Sequence, residues 1–273
     1  MSAFTQDWLG LREPADRRAR DAGLLAAVAS HVASMRSLVV TDLGCGTGAT
    51  LRALAPRLAQ PQRWRLVDHD PALLARAQRA ADGLPGAGPV SVEPLRANLR
   101  DEIEAVIALE AQLVTTSAFL DLVSAAWIDR LVGALARHRR PFYAALSYDG
   151  RAGCLPADPL DAPVLSAFSH HQRRDKGLGG ALGPDAAAAT VGALETAGFA
   201  VRTARADWLL EPHEAELQRQ LVLGWHQAVA ETGRLPATAL DRWLAHRLAA
   251  VDEGRSRLQV GHLDLWAVPQ PPG

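Results

Sequence analysis

Val39-Val40-Thr41-Asp42-Leu43-Gly44-Cys45-Gly46-Thr47-Gly48 is the stretch that most narrows what this chain can fold into. A β-branched apolar run ends in an acid, and three alternating glycines follow at once. Then comes Ala49-Thr50-Leu51-Arg52-Ala53-Leu54-Ala55, with apolar residues at helical spacing. Strand, glycine turn, helix is how α/β folds bring backbone amides and a helix N-terminus against a nucleotide-like ligand. A Cβ in such a turn would block both its tightness and the close approach of the ligand.

Two ligand classes compete for this turn. Gly44-x-Gly46-x-x-Ala49 satisfies the dinucleotide fingerprint, whose last glycine can be alanine. Asp42 argues the other way, because a carboxylate beside a pyrophosphate cradle repels it, whereas a sulfonium carrying an α-amino group is attracted. Asp-x-Gly-x-Gly-x-Gly at a strand end resembles motif I of class I S-adenosylmethionine-dependent methyltransferases, and the resemblance extends over roughly residues 35 to 150. It implies a three-layer Rossmann-like α/β fold with a mainly parallel seven-stranded sheet, the last strand antiparallel. It also implies S-adenosylmethionine as cofactor and S-adenosylhomocysteine as product.

On that resemblance, Asp42, Gly44, Cys45, Gly46 and Gly48 surround the methionyl part of the cofactor. Trp64-Arg65-Leu66-Val67-Asp68 is a second strand ending in an acid. Asp68 lies where an acid accepts hydrogen bonds from ribose hydroxyls, and His69 falls in the adenine pocket. Asp70 before Pro71 starts a helix through Ala81. Gly83 to Pro89 reads as a turn. Val90 to Arg96 is a third strand, interrupted by Pro94 and so expected near an edge. Asn98 and Leu99 stand where the family usually has an acid against the adenine amino group; an asparagine oxygen can still accept that bond. Leu24, Leu25, Val28, Val32 and Met35 predict one amphipathic helix from Ala15 to Met35 behind an arm at residues 5 to 13. Arg20 or Arg17 on this helix could meet the methionyl carboxylate, or could be a solvated helix charge.

Acceptor chemistry is placed further along. A fourth strand, Gln112 to Thr116, ends at Ser117, which joins the cofactor side, and Asp121, which is either an acceptor-side acid or a helix-start acid. The fifth strand ends at Tyr148. The Gly- and Pro-rich stretch 150–184 reads as a long loop and substrate-recognition insertion, carrying His170, His171 and Lys176. Asp121, His170 and His171 are the candidates for catalysis, and Tyr148 and Lys176 for substrate binding. Adjacent histidines rarely converge on one ion, so no metal is expected. Lys176 is the single lysine in a chain whose Lys and Arg total 29, and a compact ammonium there suits an anionic part of the substrate. A surface lysine with no partner role is the plain alternative.

The expected organisation is one domain: an arm and helix at 1–36, a cofactor core at 37–149, the insertion at 150–184, and the rest of the sheet at 185–273. Asp185 is expected to cap a helix in that last part, two added helices follow, and a proline-rich tail ends it. A hydrophobic content of 48% with 22% charged residues can build a real core across 273 residues. A net charge of −1 speaks against nucleic acid as partner. Two cysteines make no disulfide framework. The early acids Asp7 and Glu13, with no apolar leader, read as cytoplasmic, and no run is long enough for a membrane span. The oligomeric state is not legible. The missing second lysine, the lack of a Cys beside a proline after the fourth strand, and Thr115-Thr116-Ser117-Ala118 in place of Asn/Asp-Pro-Pro-Tyr set aside three nucleic-acid-modifying subclasses. Methyl transfer to a small-molecule acceptor is the expectation. The alternatives are an NAD(P)-dependent oxidoreductase and a non-catalytic S-adenosylmethionine-binding module.

Overall fold

The structure is a computed structural model that describes residues 6–81, 84 and 88–271. The expected turn at 83–89 and the end of the proline-rich tail fall largely outside them.

Two helices, α1 (Gln6–Ala19) and α2 (Ala22–Val32), precede a regular alternation. It runs β1 (Leu38–Leu43), α3 (Ala49–Leu54), β2 (Gln62–Asp68), α4 (Pro71–Arg79), β3 (Val90–Arg96), α5 (Leu99–Ala108), β4 (Leu113–Ser117), α6 (Ala125–Arg137) and β5 (Phe142–Leu155). Then follow α7 (Asp161–His171), α8 (Ala186–Thr196), β6 (Phe199–Arg205), β7 (Trp208–Leu210), α9 (Ala215–Ala230), α10 (Ala237–Asp252) and β8 (Arg257–Pro269).

The sheet order is β3-β2-β1-β4-β5-β8-β6. Strands β1 to β5 pair in parallel, while β8 runs antiparallel between β5 and β6, as expected for the last strand. The count is eight rather than seven, because the short β7 also pairs with β8. Pro94 sits on β3 at the edge, where its missing N–H disrupts no inner ladder. Every residue of β1 is buried, as in a parallel strand covered on both faces.

Two apolar layers explain that burial. Leu43, Ile103, Val106, Trp127, Leu131 and Phe142 fill one face under α5, α6 and α8. Leu25, Val28, Leu38, Val40, Leu51, Trp64 and Leu74 fill the other under α2, α3 and α4. A third cluster, with Tyr148, Val164, Trp208, Trp225, Trp243 and Val260, lies beyond the sheet among α1, α7, α9 and α10.

Three sequence expectations give way here. The helix expected from Ala15 is two helices, because Asp21 caps α2 by accepting from the Leu24 amide at 2.7 Å. Residues 150–184 are not one long loop: β5 continues to Leu155 and α7 occupies the middle. Asp185 makes no cap bond. A short 3₁₀ turn, Gly183–Asp185, leads straight into α8, and the carboxylate pairs with Arg173 at 2.7 Å.

Candidate functional site

The carboxyl ends of β1 and β4 are neighbours, and the chain leaves them in different directions, which is where open α/β sheets bind ligands. Gly44, Gly46 and Gly48 all take positive φ, at 60°, 54° and 85°, a backbone that β-carbon-bearing residues adopt only under strain. The Phe119 ring and Leu9 Cδ1 are the nearest groups to Cβ atoms added at Gly44 and Gly46. Arg52 ties α1 to this turn, donating to Glu13 Oε2 at 2.6 Å and Thr47 Oγ1 at 3.3 Å.

Asp68 holds the turn from the side. Its Oδ2 accepts from the Gly46 amide at 3.0 Å and its Oδ1 from the Asp70 amide at 3.0 Å. His69 is largely exposed, with Nδ1 3.2 Å from Asp68. Asn98 caps α5 by accepting from the Arg100 amide at 3.1 Å, so its side-chain oxygen already has one donor. Leu99 is buried behind it.

Beneath the turn lies a fully buried polar group. Register places Asp42 opposite Thr115, whose hydroxyl donates to Asp42 Oδ1 at 2.7 Å. Asp42 Oδ2 is buried without a hydrogen-bond partner, though the Thr50 hydroxyl helps to hold the Asp42 carboxyl down. Burial pushes the Asp42 carboxyl up to about 7, against the opposing pull of Thr115 and Arg20. Arg20 is 5% exposed and donates from Nη2 to Ser117 Oγ at 2.9 Å, while its Nη1 has no partner. Burial disfavours its charge, but Tyr143, Asp16 and Asp264 outweigh that and hold it cationic. An unpaired buried donor and an unpaired buried acceptor of opposite charge thus sit at the glycine turn. Each is a buried polar group without a protein hydrogen-bond partner, a state that water or a ligand can complete.

One residue beyond Ser117 a cavity of about 1020 Å³ opens. Ala118 and Leu146 form its inner end, both non-glycine residues at positive φ, 49° and 56°. Strained backbone of this kind persists where its surroundings over-determine it, commonly at functional sites. Here the Leu146 amide is fixed by Asp264 Oδ1 at 2.8 Å and the Ala118 amide by the Ala145 carbonyl at 2.9 Å. Of the residues singled out from sequence, Asp121, Tyr148, His171 and Lys176 line this cavity. Burial raises the Asp121 carboxyl, Lys176 opposing; burial also lowers the Lys176 ammonium and raises the Tyr148 hydroxyl. His171 is turned to Glu231, with Nε2 3.0 Å from its carboxylate. His170 is not brought in: it is exposed on the far side of α7, where Arg234 donates to its Nε2 at 3.2 Å. Adjacent helix positions point about 100° apart, and α7 presents His171 rather than His170 to the cavity. No cluster able to hold a metal ion exists among the described residues.

Several lining residues had escaped sequence reasoning: Trp8 and Arg12 on α1, Trp208 on β7, Trp225 on α9 and His262 on β8. They come from segments far apart in the chain. Their spacing carries no signal; the concentration of rings does, once the fold gathers them.

Residues 40–141 match the family described as "Methyltransferase domain". No curated protein matches the chain. Among solved structures, it is similar to the YcgJ protein of Bacillus subtilis, at 14% identity and a TM-score of 0.49, covering 92% of this chain and 100% of that one. A Geobacter sulfurreducens S-adenosylmethionine-dependent methyltransferase, solved with S-adenosyl-L-homocysteine, shows 14% identity and a TM-score of 0.47 over 97% and 99% of the two chains. A Thiobacillus denitrificans enzyme described in the same terms shows 16% identity and a TM-score of 0.44 over 95% and 97%. The glycine turn and the parallel strands β1 to β4 thus fall within residues 40–141 or at their edge, the stretch of the chain that matches a methyltransferase domain.

Proposed function

We propose that the protein transfers a methyl group from S-adenosylmethionine to a small-molecule acceptor held in the cavity beyond Ser117. The observation that carries this reading is the unpaired couple of Arg20 Nη1 and Asp42 Oδ2 at the glycine turn. They fit the methionyl carboxylate and ammonium, and a dinucleotide pyrophosphate offers nothing for Asp42. Gly44, Cys45, Gly46 and Gly48 leave room for the cofactor, Ser117 orients Arg20, and Asp68 takes the ribose. His69, Asn98 and Leu99 flank the adenine.

The cofactor supplies an electrophilic methyl carbon on a sulfonium. The acceptor's lone pair forms the new bond as the carbon–sulfur bond breaks and its electron pair returns to sulfur. What the protein adds is alignment in a site shielded from water. A proton shed by a hydroxyl or amine acceptor goes to Asp121, whose raised pKa brings it nearer to neutral pH. Tyr148 and Lys176 hold the acceptor.

Asp42 gives this reading a pH signature. Its folded value, about 7 against 3.8 in an unfolded chain, means that the cofactor-free protein loses stability as pH rises from about 4 to 7. Ionised Asp42 is what meets the ammonium, with Arg20 and Asp68 the other charges facing it. Calorimetric affinity for S-adenosylhomocysteine should therefore rise between about pH 5.5 and 7, approaching tenfold per unit at the acid end. Asp42→Asn should flatten that slope. An unchanged slope in the variant would remove Asp42 from the ammonium site.

A further inference from the structure

The cavity's walls and its charges point to one kind of acceptor, and the argument rests on the methyltransferase reading above. Three of the chain's seven tryptophans, one of its two tyrosines and one of its five phenylalanines line this single space. Four of these rings and the His262 imidazole are linked in sequence, two pairs edge to face and two tilted. Trp225 meets Phe168 with centroids 6.1 Å apart, Phe168 meets Tyr148 at 5.7 Å, Tyr148 meets His262 at 6.4 Å, and His262 meets Trp208 at 5.1 Å. Desolvation drives the His262 imidazole down to about 3, so this belt is uncharged at neutral pH. A continuous neutral belt of rings suits a flat ligand better than a branched aliphatic one.

The charged groups on the lining are mostly satisfied within the protein. Arg12 stacks over Trp208 and bonds Asp16 at 2.9 and 3.2 Å. Arg174 and His171 share Glu231, and Asp175 accepts from the Gly177 and Gly179 amides. Lys176 differs. Its ammonium is half-buried, bonds only the Gln172 amide oxygen, and has no carboxylate oxygen within 4.0 Å among the described residues. An ammonium has three donors, so two remain for a ligand. Asp121 is the carboxylate whose charge reaches Lys176, from beyond that distance.

We propose that the acceptor is a planar aromatic acid, its ring lying along the belt from Trp225 to Trp208 and its carboxylate bound by Lys176. A volume of about 1020 Å³ accommodates one or two fused rings with substituents.

The test is calorimetry on the full chain with saturating S-adenosylhomocysteine. The probes are 3-hydroxy-2-naphthoate, the neutral 3-hydroxy-2-naphthamide and the non-aromatic cyclohexanecarboxylate. The naphthoate should bind at least about tenfold more tightly than either of the others. Lys176→Gln should bring naphthoate and naphthamide within about threefold of each other, with affinity for S-adenosylhomocysteine unchanged. Equal binding of acid and amide to the unaltered protein overturns the assignment of Lys176, and this comparison needs no variant to fold. Equal binding of the cyclohexane acid, or no binding of any probe, overturns the aromatic class. Absence of S-adenosylhomocysteine binding with the acid preference intact would instead sink the methyltransferase reading and leave the aromatic-acid site standing.

Discussion

Replacing Arg20 by methionine is expected to weaken S-adenosylhomocysteine binding about 100-fold and to lower stability by about 3 kcal/mol. The two effects have separate origins. Loss of Nη1 removes the donor proposed to meet the cofactor's carboxylate. Loss of the charge strands Asp42 and Asp264, both fully buried, without the cation that faces them. Asp264 keeps its bonds from Tyr143 and from the Leu146 and Asp21 amides, so the variant should remain folded. Arg20→Lys should recover most of the stability but little of the binding, since one ammonium cannot reach Ser117 and the ligand together. Denaturant unfolding and calorimetry on both variants separate the effects. Unchanged affinity in Arg20→Met would detach Arg20 from the cofactor.

Gly44→Ala should abolish cofactor binding, by about 100-fold or more, and destabilise the fold by about 1–3 kcal/mol. The new Cβ would stand 2.7 and 2.9 Å from carbons of the Phe119 ring, on a backbone with φ of +60°. Phe119 cannot easily yield, because its ring packs edge-on against buried Trp127 at 5.5 Å. Gly133 is the matched control. It lies on the exposed face of α6 with nothing within 4 Å of its added Cβ, so Gly133→Ala should leave binding alone and raise stability by about 0.5–1 kcal/mol. Equal behaviour of the two variants in a binding assay would mean the glycine turn does not touch the ligand.

What could be read from the residues was whatever local chemistry dictates. The apolar run, acid and glycines of β1 specify a buried strand and a left-handed turn without help from the rest of the chain, and Asp70-Pro71 writes its own helix start. Pro94 likewise announced an edge. Long-range selection was not legible. Asp185 has the right type for a cap, but Arg173 competes for its carboxylate. Asn98 does cap a helix, a use the sequence reading had passed over in favour of the adenine. Whether His170 or His171 faces the cavity depends on the rotation of α7, which is set by Val164, Leu165 and Ala167 packing inward. Arg20 looked like one of several arginines in a basic stretch. Only the break at Asp21 and the packing of α1 and α2 turn it inward while Arg17 and Arg18 stay out. Cavity walls assembled from Trp8, Trp208 and Trp225 lie beyond any spacing rule, because each ring arrives on a different element.

The most direct test is calorimetric titration of the unaltered protein with S-adenosylmethionine, S-adenosylhomocysteine and NAD, repeated on Asp68→Asn. Asparagine keeps one oxygen for the backbone amides that Asp68 now accepts and loses the charge that favours two ribose hydroxyls. Micromolar binding of the two adenosyl ligands, weakened about tenfold by the substitution and without measurable binding of NAD, is the predicted result. Binding of NAD alone, or adenosyl binding indifferent to Asp68→Asn, would contradict it.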